Sequence, residues 1–514
     1  MAARHSTWVR LGWLTLAATA LSLFAFVREA GAVPSFARKY QTSCTTCHTI
    51  YPMLNPFGEA FRRNGYRFPS QGGANDTDAT RANVLALGQE EYKKRFPNAV
   101  WPASIAQEIP LGIMFNGAVT LNVPGQDAEA AAGNNFNWSG ILTELHIFGA
   151  GSINENLTYF TQVTIAGPNA AGIDLETGYL LWNDIVGPTH AVNLWIGRLF
   201  KPSLDSFGLH SSYLNDTRAP GISVFGLFNS AAAAGGPFIP GQGHSDGIEL
   251  NGILGHRFDW SLGWLASGTL NPNAFNPNAS DVYAHVGVKL GGMSLDGEGP
   301  GGAVVPDANK PWAETAVALD LFAYAGKQIF DNGTGIPSTA GLATPIRQDD
   351  NILAFGGSAH VALGSLLLTS GLTIEQHSAP FLGQPYTPAS ADGTTPAAAG
   401  ANDGAKGTSM VQYNELDYVI FPWFVPGIRT EYTRLQHGDT SDDANTAQLF
   451  RFIPGISMAV RPNIRTILSG SFETAKGTPM GGGWGPAGAS IVNPNGVSTK
   501  LRAETITLTF NVAY

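Results

Sequence analysis

Cys44 and Cys47 are the only cysteines in the chain, and they share one pentapeptide, Cys44-Thr45-Thr46-Cys47-His48. Two thiols one helical turn apart can each add to a vinyl group of a haem. The histidine directly after the second thiol then falls under the iron as proximal ligand. The chemistry read from Cys44, Cys47 and His48 is therefore one covalent haem c. A disulfide or a thioredoxin-like thiol pair would use the same cysteines but has no need of His48. A structural zinc site needs about four nitrogen or sulfur ligands, and no second C-x-x-C supplies them.

The sixth iron position is less determined. Met53 lies five residues from His48, too close to reach the opposite haem face. Met114, in Ile109-Pro110-Leu111-Gly112-Ile113-Met114, is far enough downstream to fold back and is the candidate distal ligand. An apolar side chain in a first barrel strand is the equal alternative for it. His146 is a second candidate, although its strand-like surroundings suit an ordinary lumen residue better. Methionine would raise the potential relative to bis-histidine ligation, and an open position would suggest ligand binding or peroxidase chemistry.

Several elements must position this group. Arg4 and Arg10 flank an apolar run at residues 11–27, and Ala30-Gly31-Ala32 makes an A-x-A cleavage site. Residues 1–32 thus read as a signal peptide that exports a chain beginning near Val33. Export suits the haem, because c-type attachment takes place outside the bacterial cytoplasm. Behind His48, residues 52–66 read as a short helix with Leu54, Phe57 and Phe61 on one face. Gly65 is its stop, and Arg62 and Arg63 sit where the helix dipole favours cations. Residues 33–110 are accordingly expected to form a small helical cytochrome domain.

The remainder is of a different kind. The 514 residues include 62 glycines and 32 prolines, only 13% are charged, and the net charge is −10. That charge fraction is about half the usual value for soluble proteins, and the acidic balance argues against nucleic acid as a partner. No long apolar run follows the N-terminus, so membrane-spanning helices are not expected. Period-two alternation dominates instead. Val317, Leu319, Leu321 and Ala323 face away from Ala318, Asp320, Phe322 and Tyr324, and Thr158, Phe160, Gln162 and Thr164 interleave with apolar neighbours. Runs of about ten such residues match strands that cross a bilayer.

The connections sharpen that reading. Short links at 154–156, 187–189, 255–257, 363–365 and 461–463 alternate with long stretches at 200–243, 327–350, 377–409, 435–446 and 475–500. Outer-membrane barrels alternate short periplasmic turns with long external loops. The expected fold is mainly β: a transmembrane antiparallel β-barrel of about 16 strands over 111–514, behind the small helical domain. One link breaks the parity, the long one at 291–313, which falls on the short-turn side. Ile506, Leu508, Phe510, Val512 and Tyr514 alternate to an aromatic last residue, which resembles the terminal-strand signal of bacterial outer-membrane barrels. Asp439, Asp442 and Asp443 mark an acidic cluster in one external loop.

Pro34-Ser35-Phe36-Ala37-Arg38, Cys44-x-x-Cys47-His48, Pro52-x-Leu54-x-Pro56-Phe57-Gly58, Phe61 and Gly65-Tyr66 together carry a resemblance. Over residues 33–70 the chain resembles the haem segment of fused monohaem cytochrome–porins of the outer membrane, best known from iron-oxidising bacteria. The resemblance implies a cytochrome segment that plugs or lines its own barrel and passes electrons between the outside and periplasmic carriers. By position it assigns haem to Cys44 and Cys47 and proximal ligation to His48, and it carries over no further catalytic residue. The expected partners are outer-membrane lipid, periplasmic carriers such as cytochromes, and an extracellular donor or acceptor, with Fe(II) as one option. Two other functions fit the same residues: a solute porin with a haem sensor or gate, and a haem peroxidase.

Overall fold

The computed structural model describes residues 35–40, 42–69, 94–95, 111–124, 136–138, 144–153, 156–166, 172–200, 244–266, 281–298, 310–331, 347–378, 406–437, 446–461, 463–477 and 501–513. The export segment and the acidic cluster at Asp439, Asp442 and Asp443 lie outside them. Before the barrel come α1 (Ser35–Tyr40), one 3₁₀ turn (Cys44–Thr46) and α2 (Pro56–Arg63). The strands begin with β1 (Leu111–Pro124), β2 (Phe136–Trp138), β3 (Glu144–Ser152), β4 (Leu157–Ala166), β5 (Gly172–Trp182) and β6 (Asn193–Phe200). They continue with β7 (His244–Leu254), β8 (Phe258–Leu265), β9 (Asp281–Gly291), β10 (Glu314–Asp331), β11 (Arg347–Gly364) and β12 (Leu366–His377). The last five are β13 (Gly407–Tyr418), β14 (Phe424–His437), β15 (Thr446–Arg461), β16 (Ile464–Gly477) and β17 (Leu501–Ala513).

Every strand pairs antiparallel with its neighbours, and β1 pairs with β17 from Met114↔Ala513 to Pro124↔Ala503, which closes the sheet. The three-residue β2 pairs with β1 just beyond β3 and shares its place, so the ring has 16 strand positions. Closure leaves no sheet edge to satisfy, the condition for a sheet in lipid. No helix among the described residues is long and apolar enough to cross a membrane; the crossing belongs to the strands.

Alternation along each strand gives the barrel its two faces. On β9, Val282, Val286 and Leu290 are exposed outward, while Asp281, Tyr283, His285 and Lys289 are buried inside. On β10, Leu319 and Leu321 point outward and Asp320, Phe322 and Tyr324 inward, as the sequence alternation expects. An apolar exterior around a polar interior reverses the order of a soluble protein and suits lipid outside. Trp182, Phe258, Tyr418, Phe421 and Trp423 are exposed beside the short links. They mark one interface with an aromatic girdle.

The ends of the barrel follow the expected asymmetry. Short links join β3 to β4, β7 to β8, β11 to β12 and β15 to β16, and β1 starts at that same end beside the close of β17. The 291–313 connection lies there too, between β9 and β10, so its length is a departure from the pattern, and its residues described beyond β9 form no strand. Its described part turns inward: Met293 packs against Phe57 and Ala60, and Asn64 Nδ2 donates to the Asp296 carbonyl at 2.8 Å. The expected helical domain is met only in part. Its described residues form two short helices and a turn that pack against the barrel wall, and most of 70–110 lies outside them.

Candidate functional site

Residues 42–69 occupy the barrel interior at the short-link end, as a plug held from several sides. Ile50 and Met53 pack with Trp312, Ala362 on β11, Leu367 on β12, Val419 and Val425 on β14. On the other side the Tyr66 ring stacks on Phe160 of β4 at 5.4 Å, and its hydroxyl lies 3.2 Å from that of Tyr179 on β5. Arg63 pairs with Asp259 of β8. Arg67, 2% exposed, donates to Asp184 at 2.8 Å in the β5–β6 link. Each fully buried apolar anchor contributes about 1.5–3 kcal/mol.

Within the plug, local chemistry fixes the Cys44–His48 loop to α2. Asn55 caps α2 by accepting from Gly58 N at 2.9 Å, and Pro56 follows at the first helical position. The Asn55 amide nitrogen donates to the carbonyls of Thr45 at 3.1 Å and Thr46 at 3.0 Å, and its backbone N–H donates to the Cys47 carbonyl. One side chain thus ties the loop to the helix. Gly58 lets the two approach, because a Cβ there would collide with the Cys47 carbonyl. At the far end Gly65 has φ +68°, Tyr66 N–H donates to Phe61 and Gly65 N–H to Arg62, a Schellman stop where the sequence expects one.

Backbone hydrogen bonds close the pentapeptide into one turn. Cys47 and His48 both donate backbone N–H groups to the Cys44 carbonyl, so the thiols are joined by a single tight turn. Both cysteines are free and half-buried. Burial pushes the Cys47 thiol up to about 12, with Cys44 adding to the effect, and burial likewise raises Cys44. A redox thiol pair works through a depressed pKa, so this environment disfavours that use. Burial pulls the His48 imidazole down to about 4 against the hydrogen bonds of Pro52 and Met53. A neutral imidazole is the ligand form. Its Nδ1 lies 3.1 Å from the Pro52 carbonyl, which orients the ring so that Nε2 would be the nitrogen to hold an iron. Two thiols and an oriented neutral imidazole fit a covalently held haem.

Both distal candidates lie on barrel strands. Met114 is on the lumen face of β1, 9% exposed, in register with Ala513 on one side and His146 on the other. The contacts described for His48, with Tyr51 and Pro52, do not include it. His146 belongs to a polar cluster of the wall with Asn116, Thr164 and Glu144, the ordinary lumen role that its strand pattern suggests. Sequence reasoning missed Asn55, Arg63 and Arg67. Only Asn55 left a local signal, as an Asn-Pro helix start.

The Arg67 latch has a pH signature. Burial raises the Asp184 carboxyl, but the Arg67 charge and the His190 N–H outweigh it and hold the group below its ordinary value. A depressed acid contributes stability above the usual carboxylate value, about 3.9, and loses it as pH falls through the depressed value. The plug is therefore expected to stay seated at neutral pH and to loosen below about pH 4. Amide protection factors across 56–66, each corrected for the intrinsic exchange rate at its pH from 7 to 3, read this. Protection that stays constant to pH 3 would exclude the latch.

Sequence comparison matches the chain to no family model and to no curated protein. Comparison of structures matches it to solved bacterial outer-membrane channels. The OmpT of Vibrio cholerae is similar at TM-score 0.44 and 10% identity, over 79% of this chain and 97% of that one. An anion-selective porin from Comamonas acidovorans is similar at TM-score 0.44 and 14% identity, over 79% and 98%. The OmpF of Salmonella typhi, in complex with daunomycin, is similar at TM-score 0.42 and 11% identity, over 79% and 97%. These likenesses are of fold alone.

Proposed function

We propose that the chain is an outer-membrane electron conduit: a barrel whose internal plug carries one covalent c-type haem on Cys44 and Cys47, with His48 as proximal ligand. The observation that supports this most strongly is the seat of the Cys44–His48 loop. It lies inside a lipid-facing barrel and is anchored to the wall by Ile50, Met53, Arg63, Tyr66 and Arg67. Hydrocarbon about 30 Å thick stops a soluble carrier from crossing. A bound haem supplies reversible one-electron chemistry partway along that path. The chain's own residues do the rest: Pro52 orients His48, Asn55 holds the loop, and the barrel excludes lipid. Electrons would pass between an extracellular donor or acceptor, Fe(II) being one candidate, and periplasmic carriers at the short-link end.

The test uses the purified full-length protein. Haem absorbance is expected to persist on the chain after denaturing electrophoresis, and the native visible spectrum to shift as Fe(II) reduces it and Fe(III) reoxidises it. A denatured chain without haem absorbance would overturn the reading. Reaction with peroxide faster than with any one-electron donor would replace it with a peroxidase. Solute flux through the reconstituted protein, gated by haem state, would replace it with a haem-gated porin.

A further inference from the structure

Across Arg63 from the plug, three adjacent strands gather donor atoms for which the electron path has no use. Asp259 on β8, Gly287 on β9 and Asp320 on β10 stand directly opposite one another in register. All face the lumen. Gly287 has no side chain, and a Cβ there would collide with an oxygen of both Asp259 and Asp320. The two carboxylates thus lean together over the glycine. His285, two residues earlier on the same face, lies with Nε2 3.1 Å from Asp320 Oδ1. One donor atom from each of Asp259, His285 and Asp320 lies within 4.8 Å of the others, and all three residues are buried.

A second observation points into the same place. Ser261 is the cross-strand partner of His285 and shares its strand face with Asp259. It is 3% exposed, and its Oγ has no hydrogen-bond partner among the described residues. Asp259, Ser261 and His285 line one cavity together with Arg62, Arg63 and Tyr66 of the plug. Two carboxylates held close in a shielded site repel unless a cation joins them. Arg63 provides one positive group, which meets Asp259, and His285 is a second only when protonated, against Asp320.

We propose that Asp259, His285 and Asp320, with the Ser261 hydroxyl beside them, bind one divalent first-row transition-metal ion in competition with the Arg63 guanidinium. Two carboxylate oxygens and one imidazole nitrogen are the donors such ions take, and the mixed set disfavours the all-oxygen preference of calcium. Metal–donor distances of about 2.1 Å keep the donors of one ion within roughly 4.2 Å of each other. A small rotation of the two carboxylates therefore closes the set. Because the ion and Arg63 both claim Asp259, binding loosens one latch of the plug. The inference stands without the haem, since its readout is metal binding.

The experiment titrates chelator-treated full-length protein in detergent with Mn(II), reading the free ion by its electron paramagnetic resonance. One tightly bound ion per chain is expected, with imidazole nitrogen modulation in the pulsed spectrum. His285→Gln should abolish that modulation, and His285→Gln and Asp320→Asn should each weaken binding by at least about tenfold. Arg63→Gln should tighten it. Heat-modifiable migration on gels verifies the folded barrel in each variant. Equal affinity in wild type and Asp320→Asn, or bound Mn(II) without nitrogen modulation, would overturn the site. Unchanged affinity in Arg63→Gln would overturn the competition. The visible haem spectrum of the same samples is separate, so loss of the haem reading and loss of the metal site are told apart.

Discussion

A His48→Ala chain should reach the membrane as a folded barrel, retain its covalent haem, and lose electron transfer by more than about a hundredfold. The imidazole makes its described hydrogen bond to Pro52 inside its own loop and its ring contact to Tyr51. Neither holds the barrel, whose stability rests on a closed ladder of strand pairs. Cys44 and Cys47 stay in place, so attachment survives. What disappears is the imidazole proposed as the proximal ligand. Weakening even the partners of a metal ligand costs about 10–100-fold, and removing the ligand itself costs more. Stopped-flow reduction of detergent-solubilised protein by Fe(II) measures the loss, and gel mobility before and after heating verifies the barrel. A Cys44→Ala/Cys47→Ala chain should fold equally well but carry no haem after denaturation. Electron uptake in His48→Ala equal to that of wild type would sink the conduit.

The barrel was legible because its signals are local and repeated. Alternation with period two separates Leu319 from Asp320 whatever lies across the lumen, and long loops opposite short links set the direction. The 291–313 link was the useful anomaly. Its wrong length for that end reflects a job, since Met293 and Asp296 hold α2. Within the plug, Gly65 announced the end of α2 through backbone chemistry alone, whereas the helix read over 52–66 begins only at Pro56, behind the Asn55 cap.

What escaped the sequence depends on register and closure. Arg63 and Asp259 are 196 residues apart, and nothing near either predicts the pairing. Asp259, His285 and Asp320 look scattered until three strands align them over Gly287. Spacing marks Met114 as a distal candidate, and only strand pairing shows that it stands in register with His146, the other candidate. The sequence could not show which barrel residues the short helical segment packs against. Ile50 and Met53 pack against Trp312, Ala362, Leu367, Val419 and Val425 of the barrel and its links.

The barrel should become an open channel when Arg63 and Arg67 are both replaced by glutamate. Each arginine meets a carboxylate of the wall or its links, Asp259 or Asp184, with little solvent to screen them. Breaking a buried ion pair costs about 3–5 kcal/mol, so the two together cost at least about 6 kcal/mol before any repulsion. That is about four powers of ten in the seating equilibrium. Repulsion adds to it, because each new glutamate faces an acid at close range. The strands lose nothing comparable, since neither arginine contributes to the backbone ladder. The plug stays tethered through 70–110, so it leaves its seat without leaving the protein. Single-channel recordings in planar bilayers should show low conductance for the wild type and a several-fold rise for Arg63→Glu/Arg67→Glu. The glutamine pair should fall between them, because it removes attraction without adding repulsion. Equal conductance in all three would mean that the two ion pairs do not hold the plug in the lumen.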